Sequence, residues 1–252
     1  MPSHTGVLVE VCAFDVEWAL KAAEAGADRI ELCSNFLEGG TTPSYATIRK
    51  VRAVAKAALF VMVRPRGGDF LYSKSELDVM REDIRIAKCC GADGVVFGVL
   101  DARGNIDIPT TTELVALARP LEVTFHRAFD ACVDPIVALD ALIELGMDRI
   151  LTSGQAGKAS EGADLIAKLV ERSAGRVGII AGSGVRSSNV RSLIEKTGVR
   201  EVHLSGHTTR PSLMEFERKG LSAGGLNKED AIHTVDTAEI GRVKKATDAV
   251  LC

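Results

Sequence analysis

Four segments of one design recur along the chain: GADRIELCS from Gly26, GADGVVFGV from Gly91, GMDRILTSG from Gly146 and GVREVHLSG from Gly198. Each sets a glycine suited to the left-handed position that stops a helix directly before an apolar run of strand length. Strand-like runs cover 7–12, 29–33, 59–64, 94–99, 121–126, 149–153, 177–181 and 201–205, so the four copies fall on strands two, four, six and eight. A helix-period run follows each strand, from VEWALKAAEAG after the first to AEIGRVKKATDAVL after the last. An open doubly wound sheet does not require a unit that returns on every second strand, whereas a closed barrel of βαβα modules produces one. The pattern predicts an α/β chain folded as one (β/α)8 TIM barrel over residues 1–252, and that length matches the roughly 250 residues such a barrel takes.

Composition narrows the function classes. A formal charge of -3 gives no reason to expect nucleic acid or an acidic membrane surface as a partner. No apolar run approaches the ~18 residues of a membrane helix, and MPSHTGVLVEVCAFDVE lacks a basic stretch before its short apolar segment, so a cytosolic protein is expected. The six cysteines, Cys12, Cys33, Cys89, Cys90, Cys132 and Cys252, lack the tight spacing of a disulfide scaffold and form no C-x-x-C pair. In a reducing compartment they are expected as thiols, with Cys89 and Cys90 as packing residues at a helix end.

Strand parity points to a site. Along a barrel strand alternate residues face the helices and must be apolar. Val9 and Val11, Ile30 and Leu32, Val61 and Val63, Val123 and Phe125, and Val202 and Leu204 meet that demand. The opposite parity then points inward: Glu10 and Cys12, Glu31 and Cys33, Met62, Arg64 and Arg66, Glu122, Thr124 and His126, Ser153, His203 and Ser205. Barrel interiors are usually filled with branched apolar side chains, and ionisable groups there are costly unless they pair or serve chemistry. A buried pair such as Glu31 with Arg64 is one reading of them. Chemistry at the C-terminal rim is the other, with Cys12, Cys33, Arg64, Arg66, His126, Arg127, Asp130, Ser153, Ser183 and Ser205 at the strand ends.

Three features of that rim suggest ligands. The turns TSGQAG, AGSGV and LSGH, with Gly182 and Gly184 in the second, are either tight connections or cradles whose amides take a phosphate or carboxylate. In RPRGGDFLYS, Arg64 and Arg66 share a parity that aims both guanidiniums at the mouth, where an anionic ligand would relieve their repulsion. Cys12 and Cys33 each follow a glutamate by two residues on successive strands, which lie ~4.8 Å apart in a sheet. They are either small buried hydrophobes or a pair holding one ion, and two soft thiolates suit Cu(I) better than zinc, which usually takes four ligands.

The segments EVCAFDVEWALKAAEAGADRIELCS, EGGTTPS, MVRPRGGDFLYS, VTFHRAFD, RILTSGQ and EVHLSG together resemble the CutC family, named as copper homeostasis proteins, and most closely its animal branch. The match runs from about Val7 to His207. The resemblance implies a TIM barrel, a cytoplasmic protein that is also nuclear in some animal members, and a homo-oligomer with a tetramer as the expected form. It also implies Cu(I) held by two cysteines near the first two strand ends, which fall here on Cys12 in EVCAF and Cys33 in ELCSN.

Two functional readings follow, and a structural or partner-binding barrel is a third. The first is a Cu(I)-binding protein of copper handling, with Cys12 and Cys33 as ligands and no turnover. The second is an enzyme acting on a small phosphorylated or carboxylated metabolite. In it Arg64 and Arg66 orient the anion, one of Glu10, Glu31 and His126 exchanges protons, and Arg127, Asp130, Ser153, Gly182, Gly184 and Ser205 complete the ligand site. The stretch 208–235 after strand eight is long for a βα connection and is expected to be a lid, a subunit contact or disordered. His203 is expected to face inward and His207 to lie on the surface.

Overall fold

In the computed structural model, which describes residues 6–216 and 231–250, eight parallel strands close in sequence order into a barrel. They are β1 (Leu8–Ala13), β2 (Arg29–Leu32), β3 (Ala58–Met62), β4 (Gly94–Phe97), β5 (Glu122–Phe125), β6 (Arg149–Thr152), β7 (Gly178–Gly182) and β8 (Glu201–Leu204). Seven helices join them and form the outer layer: α1 (Val16–Glu24), α2 (Tyr45–Val54), α3 (Lys74–Cys89), α4 (Ile108–Ala118), α5 (Pro135–Glu144), α6 (Ala163–Ser173) and α7 (Val190–Thr197). An eighth, α8 (Thr237–Asp248), follows the last barrel strand.

The helices begin where local chemistry can satisfy their first amides. The Asp15 carboxylate accepts from Trp18 N at 2.7 Å, Ser73 and Glu76 form a reciprocal capping box, and Asp134 caps a helix whose first residue is Pro135. The recurrent glycines do what their position predicts: Gly26, Gly91, Gly146 and Gly198 take φ of 101°, 77°, 72° and 72° at or just past a helix end.

Parity separates the two sides of the sheet as expected. Val9, Val11, Ile30, Leu32, Val61, Val123, Phe125 and Val202 are 0% exposed between sheet and helices, within one continuous apolar core. Inside the barrel a second, smaller group holds Cys12, Cys33, Phe60, Met62 and Val96.

The expected long loop is partly ordered structure. Residues His207–Pro211 (β9) pair antiparallel with Ala231–Val235 (β10) as a two-stranded ribbon, while residues 217–230 between them lie outside the described residues. His207 is not simply a surface group: its ring stacks on Phe36 at 4.3 Å, and its Nε2 lies 2.8 Å from Nδ1 of His233. Cys89 also departs from expectation. It is exposed, and Cys90 is only half-buried, so Cys89 does not pack into the core.

Charges fill the lower barrel. Arg29 on β2 reaches Glu10 on β1 through Nε and Glu201 on β8 through Nη2. Arg149 on β6 takes Glu122 on β5 at 2.7 Å and shares Glu201 at 3.1 Å. The ring of Phe60 lies beneath both cations, 4.8 Å from the Arg29 guanidinium carbon and 5.4 Å from that of Arg149. These contacts replace the Glu31–Arg64 pair suggested by parity. Arg64 stands beyond the end of β3 and binds carbonyls instead.

Burial alone would push the Glu10 carboxyl up. The Arg29 guanidinium and, after it, His203 outweigh burial and hold it at about 2, below its ordinary 4.5. A carboxylate so lowered contributes stability above 4.5 that is lost as the pH falls through about 2. Glu10→Gln strands Arg29 against a single partner and is expected to lower stability by about 3–5 kcal/mol at neutral pH, measured by denaturant unfolding. The difference from the wild type should shrink as the pH approaches 2.

Candidate functional site

β1 and β2 are neighbours in the barrel, and their register sets Cys12 beside Glu31. Cys33 follows two residues on, on the same inward face. The result is a thiol pair, Cys12 Sγ to Cys33 Sγ 3.6 Å, with Glu31 Oε2 3.6 Å from the Cys33 sulfur. Metal–sulfur bonds run to about 2.3 Å, so two sulfurs on one ion stand at most about 4.6 Å apart. The observed spacing lies within that limit without movement of the strands. Glu31 belongs to two groups of donors whose ligand atoms all lie within 4.8 Å of one another: Cys12, Glu31 and Cys33, and Glu10, Glu31 and His203.

The proton states follow from the surroundings. The Cys33–Cys12 contact comes first and burial second in pushing the Cys12 thiol well up, and burial raises Cys33 to about 12. Both are therefore neutral thiols at neutral pH. His203 donates its Nδ1–H to the Glu10 carboxylate across 2.7 Å, and its Nε2 lies 3.9 Å from Glu31. Burial alone would lower its imidazole, but Glu31, Cys12 and Glu10 raise it well above its ordinary value. Four interior acids, Glu10, Glu31, Glu122 and Glu201, thus face three cations, Arg29, Arg149 and His203. Glu31 is the acid left over. Burial raises its carboxyl, His203 only partly offsets this, and Oε1 has no hydrogen-bond partner.

Above the thiols a cavity of about 490 Å³ opens at the C-terminal mouth. Cys12, Glu31, Arg64, His126, Arg127, Asp130 and Ser205 line it, with Phe14, Phe36 and Phe70 as its apolar wall. Other expected members stand elsewhere. Glu10 and Cys33 lie buried beneath it, and Ser153 is buried behind Asp130. Arg66 does not line the cavity: its guanidinium is bound to Glu76 at 2.6 Å and Asp69 at 2.9 Å. Gly182 does not line it either, since a Cβ there would sit 2.6 Å from Leu151, and Gly184 packs on Lys158.

Of the three glycine turns, TSGQAG proves to be a cradle already filled by one of the chain's own carboxylates. Asp130 accepts from the amides of Ser153 at 3.0 Å and Gln155 at 3.1 Å, and from the hydroxyls of Thr152 and Ser153. Arg127 clasps the same carboxylate at 2.8 Å. After β7, Glu239 of α8 takes the Ser187 amide at 2.8 Å and its hydroxyl at 2.9 Å. The expected phosphate therefore has an internal competitor at the TSGQAG turn and another at Ser187, just past the AGSGV turn.

Parity reasoning missed Arg29, Arg149 and Glu201. All three share the inward parity of Glu31, Ser153 and His203, two or four residues earlier on the same strands, so the signal was present at the strand starts. Leu151 shares the inward parity of Arg149 and Ser153 and lines the cavity, whereas Phe70 lines it without any distinguishing mark in the sequence.

Comparison with known proteins agrees with this architecture. The CutC family model matches residues 7–208. A human relative, a copper homeostasis protein cutC homolog, is 48% identical over 219 residues, which is 87% of this chain and 80% of the relative. The mouse homolog of the same name is 44% identical over 248 residues, covering 98% of this chain and 91% of its own length. A solved CutC structure from Streptococcus agalactiae superposes with a TM-score of 0.75 at 35% identity, covering 78% of this chain and 97% of that one. A thiamine phosphate pyrophosphorylase from Pyrococcus furiosus, at 16% identity and a TM-score of 0.60, shares the barrel fold alone. The chain belongs to the CutC family.

Proposed function

We propose that this chain handles copper by binding Cu(I) between the sulfurs of Cys12 and Cys33 at the closed end of its mouth cavity. The thiol pair carries the reading: two soft donors 3.6 Å apart, buried, beside an acid that shares its one nearby cation, His203, with Glu10 and whose Oε1 has no hydrogen-bond partner. A monovalent soft cation suits that donor set, because two thiolates match it in softness. His203, held charged by Glu10 and Glu31, offsets the negative charge that two thiolates bring. The human and mouse relatives carry copper homeostasis in their names, which supports the same reading. A homotetramer working in the cytoplasm and nucleus is the assembly and location that accompany it, and these rest on the family resemblance.

Cu(I) titrated anaerobically against a competing Cu(I) chelator is expected to load one ion per chain. The Cys12→Ser, Cys33→Ser double variant is expected to load none. Retained stoichiometry in the double variant would remove the proposal.

Because both thiols are raised above their ordinary 9.0, they are protonated at neutral pH and must lose their protons to bind. Copper affinity is therefore expected to rise steeply from pH 6 to pH 8, with proton release in weakly buffered solution approaching two per ion. A pH-independent affinity over that interval contradicts thiolate ligation.

A further inference from the structure

The rim of the cavity carries an imbalance opposite to the one at its floor. Arg64 is only 6% exposed, yet its hydrogen bonds go to three main-chain carbonyls: Glu38 at 2.7 Å, Gly40 at 2.9 Å and Gly68 at 2.8 Å. Its Nε has no partner, and no carboxylate among the described residues forms an ion pair with it. A buried guanidinium without a counter-anion is an expensive group to keep. Nearby acids do not supply the charge. Asp130 is engaged by Arg127 and the TSGQ turn, and Glu31 faces the thiols and His203.

His126 adds a directed donor. Its Nδ1 accepts from the Ala128 amide at 3.2 Å, so the neutral ring carries its proton on Nε2. That Nε2 is buried, has no partner, and belongs to a ring that lines the cavity. Burial, and then the charge of Arg64, push the imidazole down to about 3, which keeps it a neutral donor across the physiological range. The ring has its seat because residue 98 is glycine: a Cβ there would stand 2.6 Å from Nδ1. Phe70 connects the two groups, with its ring 5.0 Å from that of His126 and 5.1 Å from the Arg64 guanidinium carbon.

We propose that the mouth cavity is a binding site for a small organic carboxylate, with one oxygen on the Nε2–H of His126, its charge beside Arg64 and its apolar body against Phe14, Phe36 and Phe70. A neutral ligand would leave Arg64 without an anion. Inorganic phosphate would find only one unpaired cation and no apolar partner, since the amide cradles at the TSGQ turn and at Ser187 are filled by Asp130 and Glu239. This site goes beyond the copper reading, because it uses neither thiol as a ligand.

The test is a calorimetric titration of the full chain with benzoate, its neutral analogue benzamide and inorganic phosphate. Benzoate is expected to bind saturably, with benzamide and phosphate weaker by about tenfold or more, as expected for loss of a hydrogen bond to a charged group. His126→Phe is expected to weaken benzoate by about tenfold or more. Arg64→Gln should do the same. If that variant fails to fold for want of its carbonyl contacts, His126→Phe and the benzoate-to-benzamide ratio decide. Equal binding of benzoate and benzamide, no saturation by either, or benzoate affinity unchanged in His126→Phe would overturn the proposal. Copper stoichiometry is measured on the same preparation. A protein that takes copper but no carboxylate defeats this inference alone, and one that takes carboxylate but no copper defeats the copper reading alone.

Discussion

The guanidinium of Arg29, held between the carboxylates of Glu10 and Glu201, is the contact on which the barrel interior depends. A closed sheet has a single interior, and charges sent into it must be largely neutralised there because Glu10 and Arg29 are buried and their partners only slightly exposed. Arg29 ties β2 to β1 and β8, and Arg149 extends the same arrangement from β6 to β5 and β8, with the face of Phe60 shared by both. This network satisfies Glu10, Glu122 and Glu201 and leaves Glu31 one cation short. One rung higher, burial, the contact between the two thiols and this shortfall together set the proton states: His203 is drawn toward its charged form, Glu31 toward its neutral form, and both thiols keep their protons.

The interior thus lacks a cation at its floor and an anion at its rim. Glu31 Oε1 has no partner below, and Arg64 Nε has none above. The two deficits lie along one cavity, and Cys12, Glu31, Arg64 and His126 all line it. A carboxylate near the mouth would relieve the second, while Cu(I) taken in exchange for two thiol protons adds one negative charge to the floor, which His203 is placed to offset. The chain has closed off other options for itself. Asp130 occupies the amides of the turn after β6, and Glu239 occupies the Ser187 amide after β7, in the region where barrels of this type commonly take phosphate.

Much of this is legible in the sequence. The glycine that stops each repeated helix, and the strict alternation in runs such as VEVCA and RIELC, are local signals, and local signals survive folding unchanged. They were enough to identify a closed barrel, to put Cys12 and Cys33 on one inward face and to bring His126 to the mouth. The rest depended on contacts between residues distant in sequence. Parity shows that Glu31 and Arg64 point the same way, but Pro65 turns the chain at the end of β3, and Arg64 reaches the carbonyls of residues 38, 40 and 68 instead. The TSGQAG turn advertises free amides, yet their occupant comes from 25 residues away in Gln155–Asp130, and the Ser187 amide past the next turn is taken from 52 residues away by Glu239. The His207–His233 contact spans 26 residues and exists only because β9 and β10 pair. Arg29, Arg149 and Glu201 are a different case: the alternation reaches them, and they were passed over because they open their strands.

The central claim is that the thiol pair and the uncompensated Glu31 make one cation site at the closed end of the barrel. Anomalous diffraction at the copper edge from crystals loaded anaerobically with Cu(I) tests it most directly. The account predicts one peak per chain, within bonding distance of both Cys12 Sγ and Cys33 Sγ and on the side of Glu31. A peak at any other residues, or none in crystals of demonstrated copper content, would contradict it.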